Sequence, residues 1–361
     1  MDSPLNQRLT FLGGGVAASI YTIIARAVWS SSELTVSVID PTEQPPERTL
    51  CVWGAPSPLL EDAVVAQWSK LCFGYGTDTI TVDLDTWSYR QYTASSLRQL
   101  AERMGPIHRI TAMADDPSDE SVLHLDSRPH QPVSQPASVE LLQHFYGRRI
   151  RTSKDIFQPD TAVMMDFRTD QSDGICFLYV LPYSSTEALV ECTAFSPAVW
   201  DVDQYAHRLD TYIELELGCS DYEVLATETG VIPMNDRSVD RNRGRNWIVI
   251  GSAGALTKPT TGYMVARCLR DATSLFVDAK RSGRMSVPSA PPSRFAWYDK
   301  LLLRIMRDEP EVVPLILWTL FKRNPIHRIL SFLDEQTSLR QEVLLFLRLP
   351  WMPFLRAIVR Q

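Results

Sequence analysis

Apolar and polar positions follow three different rhythms along this 361-residue chain. Residues 11–24 read FLGGGVAASIYTII: an apolar run, three glycines, then a second apolar run with helical spacing, which predicts a strand, a tight turn and a helix over Ala17–Val28. LTVSVID follows, a β-branched run ending on Asp40, and completes a β-α-β unit. The middle of the chain changes character. GICFLYVLPYSSTEALVECTAFS is two strand-like runs around the turn Tyr183-Ser184-Ser185-Thr186, an antiparallel hairpin. A third strand, Trp247–Ile250, runs into Gly251-Ser252-Ala253-Gly254, and a helix is expected from about Tyr263. Residues 301–361 read as a series of short helices with basic and apolar residues interleaved. The mixture predicts an α/β nucleotide-binding domain, an inserted β-rich domain laid over it, and a helical C-terminal region. The expected segments are 1–115 with 221–290, 116–220, and 291–361. The Pro-, Ser- and Asp-rich stretch 116–137 reads as the loosest part.

The glycine turn carries the first candidate chemistry. Gly13-Gly14-Gly15-Val16-Ala17-Ala18 fits G-x-G-x-x-G/A. Gly13 makes the turn, Gly15 lets backbone approach a pyrophosphate, and the small Ala18 lets helix and strand pack closely. Asp40, at the end of the second strand, is placed to bond a ribose 2′-hydroxyl. A purely structural β-α-β turn is the alternative, and the motif does not separate NAD from FAD. The second block, GSAGALTKPTTGY, puts small residues beside a helix start. Its Gly251, Ala253, Gly254, Pro259, Thr261 and Gly262 suit close approach to a flat ring whose negative edge meets the helix N-terminus. Glu191 lies inside the apolar strand ALVECTAF, where a carboxylate is costly unless paired or protonated, and burial would raise its pKa. An arginine partner or a solvent-facing position is the competing reading. His144 reads as a structural histidine.

Charge and cysteines narrow the setting. The net charge of −7 gives no overall attraction to nucleic acid. Six scattered cysteines form no C-x-x-C pair and no metal spacing with the six histidines, so free thiols, a reducing cytoplasmic compartment and no metal are expected. No signal peptide is read at the N-terminus, and no run reaches the ~20 apolar residues of a membrane span. Residues 301–361 hold nine Lys/Arg against six Asp/Glu, with Trp318, Phe321, Trp351 and Phe354 near arginines. That pattern suits either an interfacial surface at the cytoplasmic membrane or a helical cap on the core.

Several blocks, in one order along the chain, resemble bacterial flavin-dependent lycopene cyclases. They are RTLCVWGAP (Arg48–Pro56), LHLDSRP (Leu123–Pro129), LLQHFYGRRIRT (Leu141–Thr152), VMMDFRTDQ (Val163–Gln171), FLYVLPYSSTEALVECTAFS (Phe177–Ser196), GVIPM (Gly230–Met234) and IGSAGALTKPTTGY (Ile250–Tyr263). The resemblance covers roughly residues 10–355. It implies a Rossmann-type, glutathione-reductase-like FAD domain, FAD active in its reduced form, and NAD(P)H as reductant. Arg48 is then a cofactor residue, and Glu191, which begins an E-x-T motif, is the acid–base residue. Trp53 and Asp166 fall in matching blocks and Glu228 lies beside one; all three are weaker pocket candidates. Leu50, Val52 and Cys192 depart from the common pattern, and Cys192, one step from Glu191 in a strand, points to the other face. The implied substrate is an apolar polyene such as lycopene, closed to β-ionone rings without net redox change, with contact at a membrane. A cyclase of another terpenoid, a flavin-dependent isoprenoid reductase or hydroxylase, and a carotenoid carrier are the alternatives.

Overall fold

A computed structural model describes residues 7–30, 32–43, 46–129, 137–290 and 292–359. The β-α-β unit forms as expected: β1 (Gln7–Leu12), α1 (Val16–Val28) and β2 (Leu34–Asp40). It nucleates a six-stranded sheet in the order β15 (Asn242–Gly244), β16 (Trp247–Val249), β9 (Leu123–Asp126), β1, β2, β8 (Ile107–Thr111). All pairs are parallel except β15 with β16. Chain order reverses between β1 and β9, so the glycine turn after β1 opens at the switch point where doubly wound sheets bind ligands. Helices α1, α2 (Ala94–Arg103) and α4 (Val265–Ser282) share one buried core with this sheet.

The second sheet has seven strands in the order β14 (Tyr222–Asn235), β10 (Glu140–Thr152), β13 (Glu187–Ser196), β12 (Ile175–Pro182), β11 (Thr161–Asp166), β5 (Lys70–Tyr75), β6 (Asp78–Asp83). Both faces of its central strand β12 are covered, which explains why ICFLYVLP is apolar throughout. Cys176, Leu178 and Val180 pack beneath α3 (Val202–Leu215), while Phe177 and Leu181 face the opposite core. A three-stranded sheet is built from β3 (Thr49–Gly54), β7 (Ser88–Thr93) and β4 (Ala66–Trp68), with β5 and β6 falling between β4 and β7 in sequence.

Sheet membership departs from the expected segments. Strand β9, within 116–220, pairs in the nucleotide sheet, whereas β5, β6 and β14, expected with that sheet, pair in the other. Local alternation cannot report which sheet a strand joins; long-range pairing decides it. Part of the stretch read as loose, 116–137, is the fully buried strand β9, and residues 130–136 lie outside the described residues.

The C-terminal helices are α5 (Ser293–Asp308), α6 (Val313–Arg323), α7 (Ile326–Leu333), α8 (Leu339–Phe346) and α9 (Trp351–Val359). Their apolar faces close over β5 and its neighbours, with Phe73 stacked on Phe321 at 3.9 Å between centroids. Among the described residues no helix is long and apolar enough to cross a membrane. A buried ionic knot ties this region to the second glycine-rich block. Lys258 Nζ reaches Asp299 at 2.8 Å and Glu335 at 3.4 Å, Thr260 donates to Asp299 at 2.7 Å, and Arg267 bonds Glu335. Removing one member leaves an unpaired buried charge, which costs about 3–5 kcal/mol. Asp299→Ala is therefore expected to lose about that much stability in urea unfolding; a loss under about 1 kcal/mol, as for an exposed pair, would show that the knot is solvated and does not hold the helices.

Candidate active site

Three cavities lie end to end along the seam between the nucleotide sheet and its neighbours, joined through shared residues. The first, 550 Å³, is lined by Gly13, Gly15, Asp40, Ser127 and Arg128 among others. The second, 180 Å³, shares Gly15 and adds Gly14, Val16, Ser19, Arg48 and Arg98. The third, 310 Å³, shares Val16 and Arg48 and runs between the helix α1 start, strand β3 and the seven-stranded sheet. An acid stands at one end, a helix N-terminus with two guanidinium groups in the middle, and a largely apolar chamber at the other.

The glycine turn has the geometry its pattern asked for. Gly13 has φ +95°, and a Cβ there would meet Ser127 Oγ at 2.5 Å. Gly15 caps α1 without a side-chain hydrogen bond, and a Cβ there would meet nothing within 4 Å. The first-turn amides are thus left facing open space, which suits an anion. Asp40 is already oriented, since its Oδ2 accepts from Gly14 N at 2.5 Å and its Oδ1 from Thr42 N at 2.7 Å. Ala18 is buried in the helix face, but the close approach to the second block falls one residue earlier: a Cβ on Gly251 would lie 2.9 Å from that of Ala17.

The second block divides in two. Thr261 and Gly262 line the third chamber, with Tyr263 and Ser252. Gly251, Ala253, Gly254 and Pro259 are not among its lining residues. Gly251 (φ +64°) and Gly254 shape the turn, the latter because a Cβ would meet Val249 O at 2.7 Å. The small residues there serve backbone packing, a role that sequence alone does not separate from ligand approach.

Opposite this block stands the seven-stranded sheet. Alternation along β10 presents Gln143, Phe145 and Gly147 on the chamber side. His144 turns away beneath α3, between Ser196 Oγ at 2.7 Å and Tyr205 Oη at 2.5 Å, the structural role expected of it. Burial lowers its pKa to about 4. On β13 the same alternation puts Leu189 and Glu191 toward the chamber and Cys192 into the core under α3, as the one-residue step required. Glu191 faces the cavity and is half-buried in its wall, and Thr193 Oγ1 donates to it at 2.9 Å. Burial first, and the neighbouring Glu228 second, hold its carboxyl well above the ordinary glutamate range. Its pKa direction therefore favours a neutral acid.

Tyr179 is paired directly with Glu191, and its hydroxyl lies 3.3 Å from that of Tyr263, which is 3.2 Å from that of Tyr89. Burial raises all three phenols, so they are neutral donors lining an apolar chamber. Two polar atoms in the wall, Gln143 Oε1 and Thr261 Oγ1, are buried without a partner among the described residues. They are free to bond a ligand.

The weaker pocket candidates separate. Glu228 accepts from Thr49 Oγ1 at 2.8 Å and lies beside Glu191. Asp166 is instead sealed in the sheet, ion-paired with Arg168 at 2.6 Å and bonded by Tyr212 Oη at 2.7 Å, on the α3 side. Trp53 does not line the chamber. Its Nε1 donates to Asp334 at 2.8 Å and to Leu330 O at 3.1 Å, and its ring packs edge-on against Tyr263. It braces a wall residue against α7. Sequence reasoning missed Gln143, Gly147, Tyr89, Tyr179 and Arg98. The period-two alternation of LLQHFYGRRIRT and FLYVLP carried the signal for Gln143, Gly147 and Tyr179, whereas Tyr89 and Arg98 arrive through long-range packing.

The fold is shared widely. A geranylgeranyl bacteriochlorophyll reductase-like protein from Thermoplasma acidophilum superposes with a TM-score of 0.59 at 12% identity over 98% of both chains. A flavin-dependent brominase gives 0.57 at 11% identity over 91% of this chain and 93% of its own. A flavoprotein/dehydrogenase from Cytophaga hutchinsonii gives 0.57 at 13% identity over 91% and 92%. At these identities the likeness concerns fold alone. The family model described as lycopene cyclase protein matches residues 9–359. With that match spanning nearly the whole chain, the protein belongs to the lycopene cyclase family.

Proposed function

We propose that this chain is an FAD-dependent carotenoid cyclase that converts acyclic ends of lycopene, or of a closely similar polyene, to β-ionone rings. The observation that carries the proposal is the place of Glu191, a carboxyl whose pKa is pushed upward by burial and by Glu228, in the wall of an aromatic-lined chamber that adjoins the glycine turn. Gly13, Gly15, Asp40, Arg48 and Arg98 would hold the adenosine and pyrophosphate portion, and Gln143, Thr261 and Gly262 would meet the ring system. A reduced flavin bound there would supply fixed negative charge close to a developing cation.

The residues do the rest. Glu191 gives its proton to the terminal trisubstituted alkene, leaving a tertiary cation. The neighbouring double bond attacks that cation and closes a six-membered ring, and a ring proton then returns to carboxylate. Substrate and product are isomers, so reductant is needed only to set the flavin's redox state; NAD(P)H fills that role in this reading. A dry wall formed by Leu181, Leu189, Phe145 and the three tyrosines excludes water, which would quench the cation, and the aromatic faces stabilise positive charge.

A lipid-soluble substrate must be collected from a bilayer, and the C-terminal helices offer a surface for it. Leu347 and Trp351 are 75% and 62% exposed, with Leu339, Val343 and Leu355 exposed on the same pair of helices and Arg340 among them. We assign this face to peripheral contact with an anionic membrane. A flavin-dependent isoprenoid reductase is the second reading, favoured by the fold shared with the reductase-like protein.

Expression in a lycopene-accumulating bacterial host should yield cyclic carotenoid, and Glu191→Gln should lower ring formation by ~10²–10⁴-fold while flavin content is kept. Near wild-type cyclisation by that variant would move the acid elsewhere. Gly15→Val should abolish flavin binding in calorimetry, because the side chain fills the space before α1; undiminished binding would remove the trough from the account. Under anaerobic conditions chemically reduced flavin should replace NAD(P)H over many turnovers, whereas one NAD(P)H consumed per product would establish the reductase reading instead. Liposome sedimentation should lose the double variant Leu347→Asp/Trp351→Asp and retain the wild type; equal retention would exclude these helices as the contact.

A further inference from the structure

Four residues form one row across the seven-stranded sheet. Glu228 on β14 pairs with Gly147 on β10, Gly147 pairs with Glu191 on β13, and Glu191 pairs with Tyr179 on β12. Directly paired residues point to one face, so the two glutamates stand on either side of a residue without a side chain. The space over Gly147 is filled by them. A Cβ there would lie 3.2 Å from Glu228 Cγ, 3.4 Å from Glu191 Cβ and 3.1 Å from Leu189 Cδ1.

Each carboxyl has one oxygen anchored by a threonine. Thr193 donates to Glu191 Oε1 at 2.9 Å, and Thr49 donates to Glu228 Oε2 at 2.8 Å. Glu228 Oε1 is buried and meets no N–H or O–H donor among the described residues. The Glu191 carboxyl is nonetheless within hydrogen-bonding reach of Glu228. Two carboxylate oxygens repel unless one carries a proton, so that proton supplies the missing donor.

We propose that Glu191 and Glu228 are a proton-sharing pair, one proton held between two carboxyl groups brought together over Gly147. Its catalytic meaning rests on the cyclase reading above. A like charge beside Glu191 disfavours its ionisation, so the pair retains its one proton at neutral pH. When Glu191 has delivered its proton to the alkene carbon, the pair carries two like charges at close range, which makes it a strong base at the moment the ring cation must lose a proton. The C–H proton then returns to the pair, its bonding electrons form the ring double bond, and the pair regains its starting state. The negative charge of the pair also offsets that of the cation throughout.

The other titratable groups around the pair are Cys51 from β3, Tyr89 from β7, Tyr179 from β12, Tyr183 from the β12–β13 turn, Tyr263 before α4, and Cys192 on the far face of β13, with the Arg48 guanidinium bonded to Thr229 O. Cys51 is pushed up to about 12 by burial, as is Tyr183, so neither supplies charge near neutrality.

The test is an infrared titration of the purified full-length protein without substrate, following the protonated-carboxyl band that Glu191→Gln abolishes. In the wild type this band should persist through neutral pH. In Glu228→Gln the like charge is gone, so the band should disappear about one pH unit lower or more. Gly147→Ala, which wedges the two groups apart, should shift it in the same direction and serves if Glu228→Gln does not fold. An unchanged titration midpoint in the folded variants overturns the pair. Ring formation is read separately: Glu228→Gln should cost ~10-fold or more with flavin retained. Wild-type ring formation in Glu228→Gln beside an inactive Glu191→Gln would also overturn the pair and leave the acid in place. A normal infrared shift in a protein that makes no ring would uphold the pair and refute the cyclase reading.

Discussion

A carboxyl group inside a sheet is stable only if its charge is cancelled or its proton is kept, and the surroundings of Glu191 favour the second. Glu191 sits on a strand whose neighbours are apolar, and among the described residues no guanidinium or ammonium is ion-paired to it. Burial and a second carboxyl both disfavour ionisation there. The consequence is a side chain that is a poor acid toward water yet remains armed as a donor in a dry chamber. Alkene protonation demands that combination, because the conjugate cation survives only where water is excluded. The absent side chain at Gly147 makes the arrangement possible, since any larger residue would occupy the space in which the carboxyls meet.

The chamber exists because two differently built sheets meet along a seam. On one side parallel strands end in a glycine turn and a helix start, geometry suited to phosphate. On the other, antiparallel strands with both faces covered can hold apolar and acidic residues in fixed alternation. The C-terminal helices close the arrangement. Lys258 and Arg267 anchor Asp299 and Glu335 behind the same block that puts Thr261, Gly262 and Tyr263 into the chamber. Trp53 adds a brace from β3 to α7. Such buried ionic contacts add little net stability but penalise other arrangements, which fits a role in setting the position of one wall.

Much of this was legible in the amino-acid order. The β-α-β unit over residues 7–40, the hairpin around Tyr183–Thr186 and the opposite orientations of Glu191 and Cys192 follow from periodicity and turn chemistry. The family resemblance along the chain agrees with the family match. Other features were out of reach because they depend on residues far apart in sequence. Nothing local in YEVLATETGVIPMN says that Glu228 will stand two strands from Glu191, and nothing in LHLD says that this short run is a central parallel strand. Asp166 illustrates the converse. Its block resembles the family, yet Arg168 two residues on and Tyr212 on α3 consume its hydrogen bonds, so it stays structural.

The central claim is that ring closure begins with a proton from an enclosed carboxyl and ends with a proton lost, with no hydrogen gained. It is tested most directly by single-turnover reaction in D₂O, with reduced enzyme in molar excess over lycopene and product mass read for each ring formed. The account predicts one carbon-bound deuterium in each ring, replacing one hydrogen of the substrate. A ring product without deuterium, or a product that has gained two hydrogens, would contradict it.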